Sequence, residues 1–204
     1  MKKPDENANI LTYLQWRGDL TFSQSPFCQI DSLILCCLSY LNWDGIAAGR
    51  TLSESVSLQD AIVQWNAKPE EQQITRSPLD RTLLELVSES ARFRDVRLFR
   101  YEAVFSEIRQ QQFSAVSFLL GKSTVYAAFR GTDNTLTGWR EDFNMSFLSE
   151  TPSQQAAAAY LRSLLETDLQ HVLVGGHSKG GNLAVYAAAH APELFLSRIE
   201  AVYN

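Results

Sequence analysis

Ser178 is the residue whose neighbours best equip it for chemistry. From Val172 to Asn182 the chain reads Val-Leu-Val-Gly-Gly-His-Ser-Lys-Gly-Gly-Asn, so an apolar run feeds a Gly-x-Ser-x-Gly turn and an Ala-rich helical pattern follows. A serine hydroxyl is a weak nucleophile and has to be presented to a base and to donors that stabilise an oxyanion. A sharp strand-to-helix turn does this, at the cost of a strained serine backbone and crowding of strand against helix. Gly176 and Gly180, two residues either side of Ser178, relieve the crowding because they carry no Cβ. The helix from Lys179 points its N-terminal N–H groups and dipole at the reacting centre. The plain alternative is a tight glycine-rich turn around a buried serine. A phosphate-binding loop is disfavoured, because the Gly-x4-Gly-Lys-Ser/Thr order is absent.

A second motif, Phe129-Arg130-Gly131-Thr132, follows the β-rich segment Thr124–Ala128. Serine hydrolases take one oxyanion donor from the residue after the nucleophile and another from a loop after an earlier strand. The backbone N–H groups of Lys179 and Thr132 are therefore the two candidates. Gly131-Thr132-Asp133-Asn134 is also good turn chemistry, and the two readings are compatible.

These motifs need a scaffold. Residues 1–93 read as a helical N-terminal region packing on a core formed by residues 94–204. Asp31 is expected to cap a helix Ser32–Leu41, with Leu33, Leu35, Cys36, Leu38 and Tyr40 on its apolar positions. Ser57 with Asp60 resembles a capping box before Ala61–Trp65. Lys68–Ser77 is a polar connector, and Ser77-Pro78 with Asp80 opens a helix through Leu83, Leu84, Leu86 and Val87. Beyond this, Arg97–Phe105 reads as a strand, and Phe113–Leu120 and Thr124–Phe129 flank the hairpin signal Gly121-Lys122-Ser123. A polar loop, a helix over Gln154–Glu166, the strand His171–Gly175, the helix Gly180–Ala191 and a strand start at Arg198–Tyr203 complete the pattern. Such alternation implies an α/β fold with a mostly parallel sheet flanked by helices, and ligands in such sheets bind at the carboxyl ends of strands.

Composition narrows the class. The chain has 204 residues, 45% hydrophobic, with a formal net charge of −5. That is enough for one domain with a large core, and it gives no electrostatic footprint for nucleic acid. No apolar run reaches spanning length, and Met1–Asn9 lacks the apolar centre of a signal peptide. Cys28, Cys36 and Cys37 form no disulfide framework and read as reduced packing residues of a cytoplasmic protein. No metal cluster or cofactor signature is present.

Phe-Arg-Gly-Thr, then Gly138-Trp139-Arg140-Glu141-Asp142-Phe143, then Gly-His-Ser-x-Gly-Gly resembles the class three lipases, α/β-hydrolases with a Ser-Asp-His triad. The form Gly-His-Ser-Lys-Gly-Gly-Asn-Leu-Ala, with the N-terminal run Asp31…Leu38-Ser39-Tyr40-Leu41, is more similar to an uncharacterised bacterial branch, a domain of unknown function. The resemblance implies Ser178 as nucleophile, Thr132 and Lys179 as the oxyanion hole, and His177 as structural. It implies that Trp139 and Asp142 fix the loop after Thr132. Asp133–Phe147 stands where lipases carry a lid, and its Trp139, Phe143, Met145 and Phe147 either shield an acyl site or pack into the core. Two departures stand out. The stretch from Thr132 to Ser178 is short for a lipase, as if a strand pair were missing, and Lys179 replaces the usual leucine. The Lys179 side chain reads as a solvated residue at a helix start, with pairing to a carboxylate or an acidic substrate as alternatives.

A triad needs an acid and a histidine after the serine, in that order. Beyond Ser178 stand only His190, Glu193 and Glu200. His190 lies roughly 18 Å down the helix at 1.5 Å per residue. His171 begins a strand at the far end of the sheet. The expected function is acyl hydrolysis of an ester or lipid by a serine hydrolase that, in this chain, lacks the acid and base and is very slow. The fold is expected to be incomplete at its C-terminus, with an unfinished sheet edge open to oligomerisation. The alternative is a non-catalytic ligand- or partner-binding protein on the same scaffold.

Overall fold

The computed structural model describes residues 9–133 and 135–204. The residues before Asn9 in the segment screened for a signal peptide, and Asn134 of the turn after Thr132, lie outside the described residues.

Two connections decide the middle of the fold. Glu107–Gln110 and Leu120–Ser123 are short enough to join only antiparallel neighbours. They link β2 (Arg97–Ser106), β3 (Gln111–Leu119) and β4 (Thr124–Phe129), while the two-residue strand β1 (Val56–Ser57) adds to the edge beside β2. The later links are long and helical. From β4 the chain passes through α5 (Leu136–Asn144) and α6 (Pro152–Leu165) into β5 (His171–Gly176), then through α7 (Lys179–Ala189) into β6 (Ile199–Tyr203). These crossovers place β4, β5 and β6 parallel. The six strands lie in sequential order in one sheet. The expectation of a mostly parallel sheet is therefore corrected. The sheet is mixed, antiparallel from β1 to β4 and parallel from β4 to β6, because the hairpin links are too short for crossovers. β1 also lies within the stretch read as helical.

Alternation along the strands sends side chains to two cores. Tyr126 and Ala128 of β4 and Leu173 of β5 face the N-terminal helices α1 (Ile10–Arg17), α2 (Gln29–Leu38), α3 (Leu58–Asn66) and α4 (Leu79–Glu89), meeting Leu35, Leu38, Trp65 and Leu84. Val125, Ala127 and Phe129 with Val172 and Val174 face the other way, against Leu161 and Leu164 of α6 and Leu183 and Ala184 of α7. Each large apolar side chain so buried contributes about 1.5–3 kcal/mol.

Local signals set the helix ends. Ser57 Oγ accepts from the Asp60 N–H at 3.1 Å at the start of α3. The Asp80 carboxylate accepts from the N–H groups of Arg76 and Ser77 before α4. Thr151 and Gln154 form a reciprocal capping box with Pro152 in the first turn of α6. Two sequence expectations change here. Asp31 is not the cap of α2 but sits inside its first turn, where it accepts from the Cys28 N–H at 2.8 Å and pairs with Arg92 at 2.6 Å, both side chains fully buried. The helix also ends at Leu38, short of Tyr40 and Leu41. The stretch read as a polar loop after β4 holds the helix α5. All three cysteines are free thiols.

Candidate active site

The elbow forms where β5 stops and α7 begins. Ser178 between them has φ 59° and ψ −128°, a left-handed backbone that a non-glycine residue adopts only under strain. The packing explains the flanking glycines. A Cβ on Gly176 would lie 2.1 Å from the Gly180 carbonyl carbon, and one on Gly180 would lie 2.1 Å from the Phe129 carbonyl oxygen. The turn is closed by the Gly181 N–H donating to the Ser178 carbonyl at 2.9 Å. Ser178 is exposed and borders a cavity of about 400 Å³.

Apart from Gly176, His177 and Ser178 of the elbow, that cavity is lined by residues the sequence reading did not select for the site. Gln29, Ser32, Leu33 and Cys36 of α2 form one wall, and Val202, Tyr203 and Asn204 at the end of β6 another. Ser32 Oγ lies 2.7 Å and Cys36 Sγ 3.1 Å from the buried Tyr126 hydroxyl. Burial pushes the Cys36 thiol and the Tyr126 phenol up, so neither supplies an anion to the cavity at neutral pH. The available signal was the half-polar face of an otherwise apolar helix, which says nothing of what the face meets.

The parallel pairing of β4 with β5 aligns Phe129 with Gly176, so Arg130-Gly131-Thr132 runs beside the elbow. The approach is close. A Cβ on Gly131 would lie 2.4 Å from the His177 carbonyl oxygen. Thr132 Oγ1 donates to Asp142 Oδ2 at 2.5 Å, which ties the loop to α5. Among the described residues, neither the Thr132 nor the Lys179 backbone N–H is hydrogen-bonded to a protein acceptor.

Lys179 overturns its expected solvated role. Its side chain is 1% exposed and lies 3.0 Å from Glu141 Oε2, itself 0% exposed. The ammonium also donates to the Gln112 carbonyl oxygen at 2.6 Å and to Gln112 Oε1 at 2.9 Å. Burial lowers its pKa and the neighbouring Glu141 opposes that shift. With three acceptors for three hydrogens, the ammonium has no proton-accepting capacity toward Ser178. Glu141 is equally committed, because its carboxylate also accepts from the N–H groups of Gln112 and Ser153.

The histidines are engaged elsewhere. His177 Nδ1 lies 3.3 Å from both the Tyr40 hydroxyl and Arg76 Nη1. Burial first, and the Arg76 charge second, lower its pKa. His171 pairs with Glu200 at the opposite end of β5. His190 stacks on Tyr186 at the far end of α7. None of the three hydrogen-bonds Ser178.

The segment after Thr132 takes neither of its expected roles fully. Trp139 is 67% and Phe143 68% exposed, and Phe147 is similarly exposed, so these three are not core. None of them lines the cavity beside Ser178. Met145 alone packs partly against the core under α6 and α7.

A family model described as Mbeg1-like matches residues 87–204, the stretch that carries both motifs. No curated protein and no solved structure gives a match.

Proposed function

Since the chain belongs to the Mbeg1-like family, a lipase-like family, we propose that it is a serine hydrolase acting on carboxylic esters, lipid esters included, through an acyl-Ser178 intermediate. The observation that carries this reading is the strained Ser178 backbone at a strand-to-helix turn bordering a cavity. In this reading Ser178 Oγ attacks the acyl carbonyl, the N–H groups of Thr132 and Lys179 receive the oxyanion, and the alkoxide leaves with a proton. Water then releases the acid. The class three likeness of the Phe-Arg-Gly-Thr and Gly-His-Ser-x-Gly-Gly motifs supports the same assignment, and the three free thiols support a cytoplasmic location. Among the described residues β6 is hydrogen-bonded to β5 alone, and we include self-association along its other side in this reading.

No described histidine is placed to take the Ser178 proton. The chain by itself is therefore expected to turn over slowly. Serine hydrolases stripped of their base retain roughly 10³–10⁴-fold catalysis over water from the oxyanion hole and binding. The same observation favours a second reading, a ligand-binding protein on a hydrolase scaffold. Labelling with a fluorophosphonate, followed by peptide mass analysis, separates the two. Hydrolase chemistry gives an adduct on Ser178 that Ser178→Ala abolishes, together with loss of any esterase rate. Saturable binding of an ester with no adduct on Ser178 selects the binding protein.

A further inference from the structure

Gln112 is completely buried at the start of β3, yet its side-chain amide is used from one end only. Its Oε1 accepts from the Lys179 ammonium at 2.9 Å and from the Asp133 N–H at 3.3 Å. Its Nε2, among the described residues, has no partner. A buried amide donor left unpaired costs about 1–3 kcal/mol, so this orientation is held against a penalty. What holds it is the buried ion pair behind it. Lys179 donates both to Gln112 and to Glu141, and the Glu141 carboxylate accepts the Gln112 N–H at 2.9 Å.

These contacts connect the two candidate oxyanion donors by side chains. The first donor is the N–H of Lys179 itself. The second belongs to Thr132, whose successor Asp133 is held by Gln112 and whose hydroxyl is held by Asp142, the neighbour of Glu141 on α5. Thr132 is thus gripped from both sides, and each grip leads back to Lys179, one through Gln112 and one through α5. An oxyanion hole works only when its donors stand about 2.7–3.1 Å from one developing oxygen, so the spacing between two separate loops has to be set by something rigid.

We propose that Lys179, Glu141 and Gln112 are positioning residues, forming a buried relay that sets the distance between the Thr132 and Lys179 backbone donors. The proposal rests on the serine hydrolase reading for its catalytic consequence. The relay does not touch the reacting atoms. It replaces the plain apolar contact that a leucine after the nucleophile would make with a directional one that reaches the second loop.

Gln112→Met tests this: it leaves the Lys179–Glu141 pair in place and removes the unpaired Nε2 donor together with Oε1, the acceptor for one Lys179 hydrogen and for the Asp133 N–H. Gln112→Glu keeps the acceptor oxygen. The measurements are thermal stability, the rate of Ser178 phosphonylation by a fluorophosphonate, and amide hydrogen exchange at Asp133, whose N–H Gln112 holds. Expected are a melting temperature lowered by several degrees, labelling slowed at least tenfold, and Asp133 exchange accelerated at least tenfold in Gln112→Met, with both rates recovering in Gln112→Glu. Lys179→Met/Glu141→Gln should accelerate Asp133 exchange likewise, through the intact Gln112. Wild-type labelling and exchange in Gln112→Met would overturn the relay while leaving the hydrolase reading standing. If the wild-type protein is not labelled on Ser178, the hydrolase reading falls, and the Asp133 exchange rates alone then decide whether the relay holds the Thr132–Asp133 loop.

Discussion

At the scale of single residues, the elbow depends on what two positions lack. Gly176→Ala or Gly180→Ala would press a methyl group to within 2.1 Å of backbone atoms that have no room to retreat. A loss of about 3 kcal/mol is expected, at the upper end of overpacking costs, measurable by denaturant unfolding. His177 offers a pH test. Its folded pKa is lowered below the ordinary 6.5, by burial first and Arg76 second. Below about pH 6.5 the unfolded chain therefore takes up a proton that the folded chain declines. Stability should fall as pH drops from 7 toward 5, and His177→Asn should flatten that slope. Arg76→Gln should raise the His177 pKa, read by NMR titration of the imidazole, and an unmoved titration would refute the Arg76 contribution. The elbow was legible in the sequence because its reasons are local, all within a few residues of Ser178. The partner of Lys179 was not, since Glu141 stands 38 residues away.

At the scale of elements, α5 is inverted. Its outward face carries Leu136, Trp139 and Phe143, and its inward face carries buried Thr137 and Glu141. The inversion follows from what the helix delivers, a carboxylate to Lys179 and another to Thr132. The sequence reading took this stretch as a polar loop and left its aromatics between a lid and the core, because an apolar stripe is normally taken to face a core. Two substitutions separate the faces. Trp139→Ser and Phe143→Ser should each change stability by no more than about 0.5 kcal/mol, as surface sites do. Glu141→Ala strands a buried ammonium and should cost about 3–5 kcal/mol in chemical denaturation. The opposite ranking would mean that the outward face of α5 is covered.

At the scale of the molecule, the N-terminal helices are fastened by the Asp31–Arg92 pair. The Arg92 guanidinium meets both Asp31 oxygens and also donates to the carbonyls of Leu20, Ser25 and Pro26. Arg92→Met should cost about 3–5 kcal/mol at pH 7 by leaving Asp31 uncompensated. Asp31→Asn in the same variant removes the stranded carboxylate and should recover part of the deficit. A deficit that Asp31→Asn leaves unchanged would show that packing, not charge, is what Arg92 supplies. This fastening matters to the site, because α2 is both the helix whose first turn holds Asp31 and the wall of the cavity facing Ser178.

The sequence by itself determined the strands from β2 to β6, most of the helices, the hairpin at Gly121 and the strand-to-helix turn at Ser178, since each rests on side-chain periodicity or on residue types within one turn of chain. Tertiary structure alone decided that α2 walls the cavity, that Lys179 is buried on Glu141 and Gln112, and that the aromatics of α5 face outward. Those are matters of which surfaces meet. A buried charge finds its counter-charge, and a helix chooses its inward face, by the free energy of the whole packed arrangement, which no local window of sequence contains.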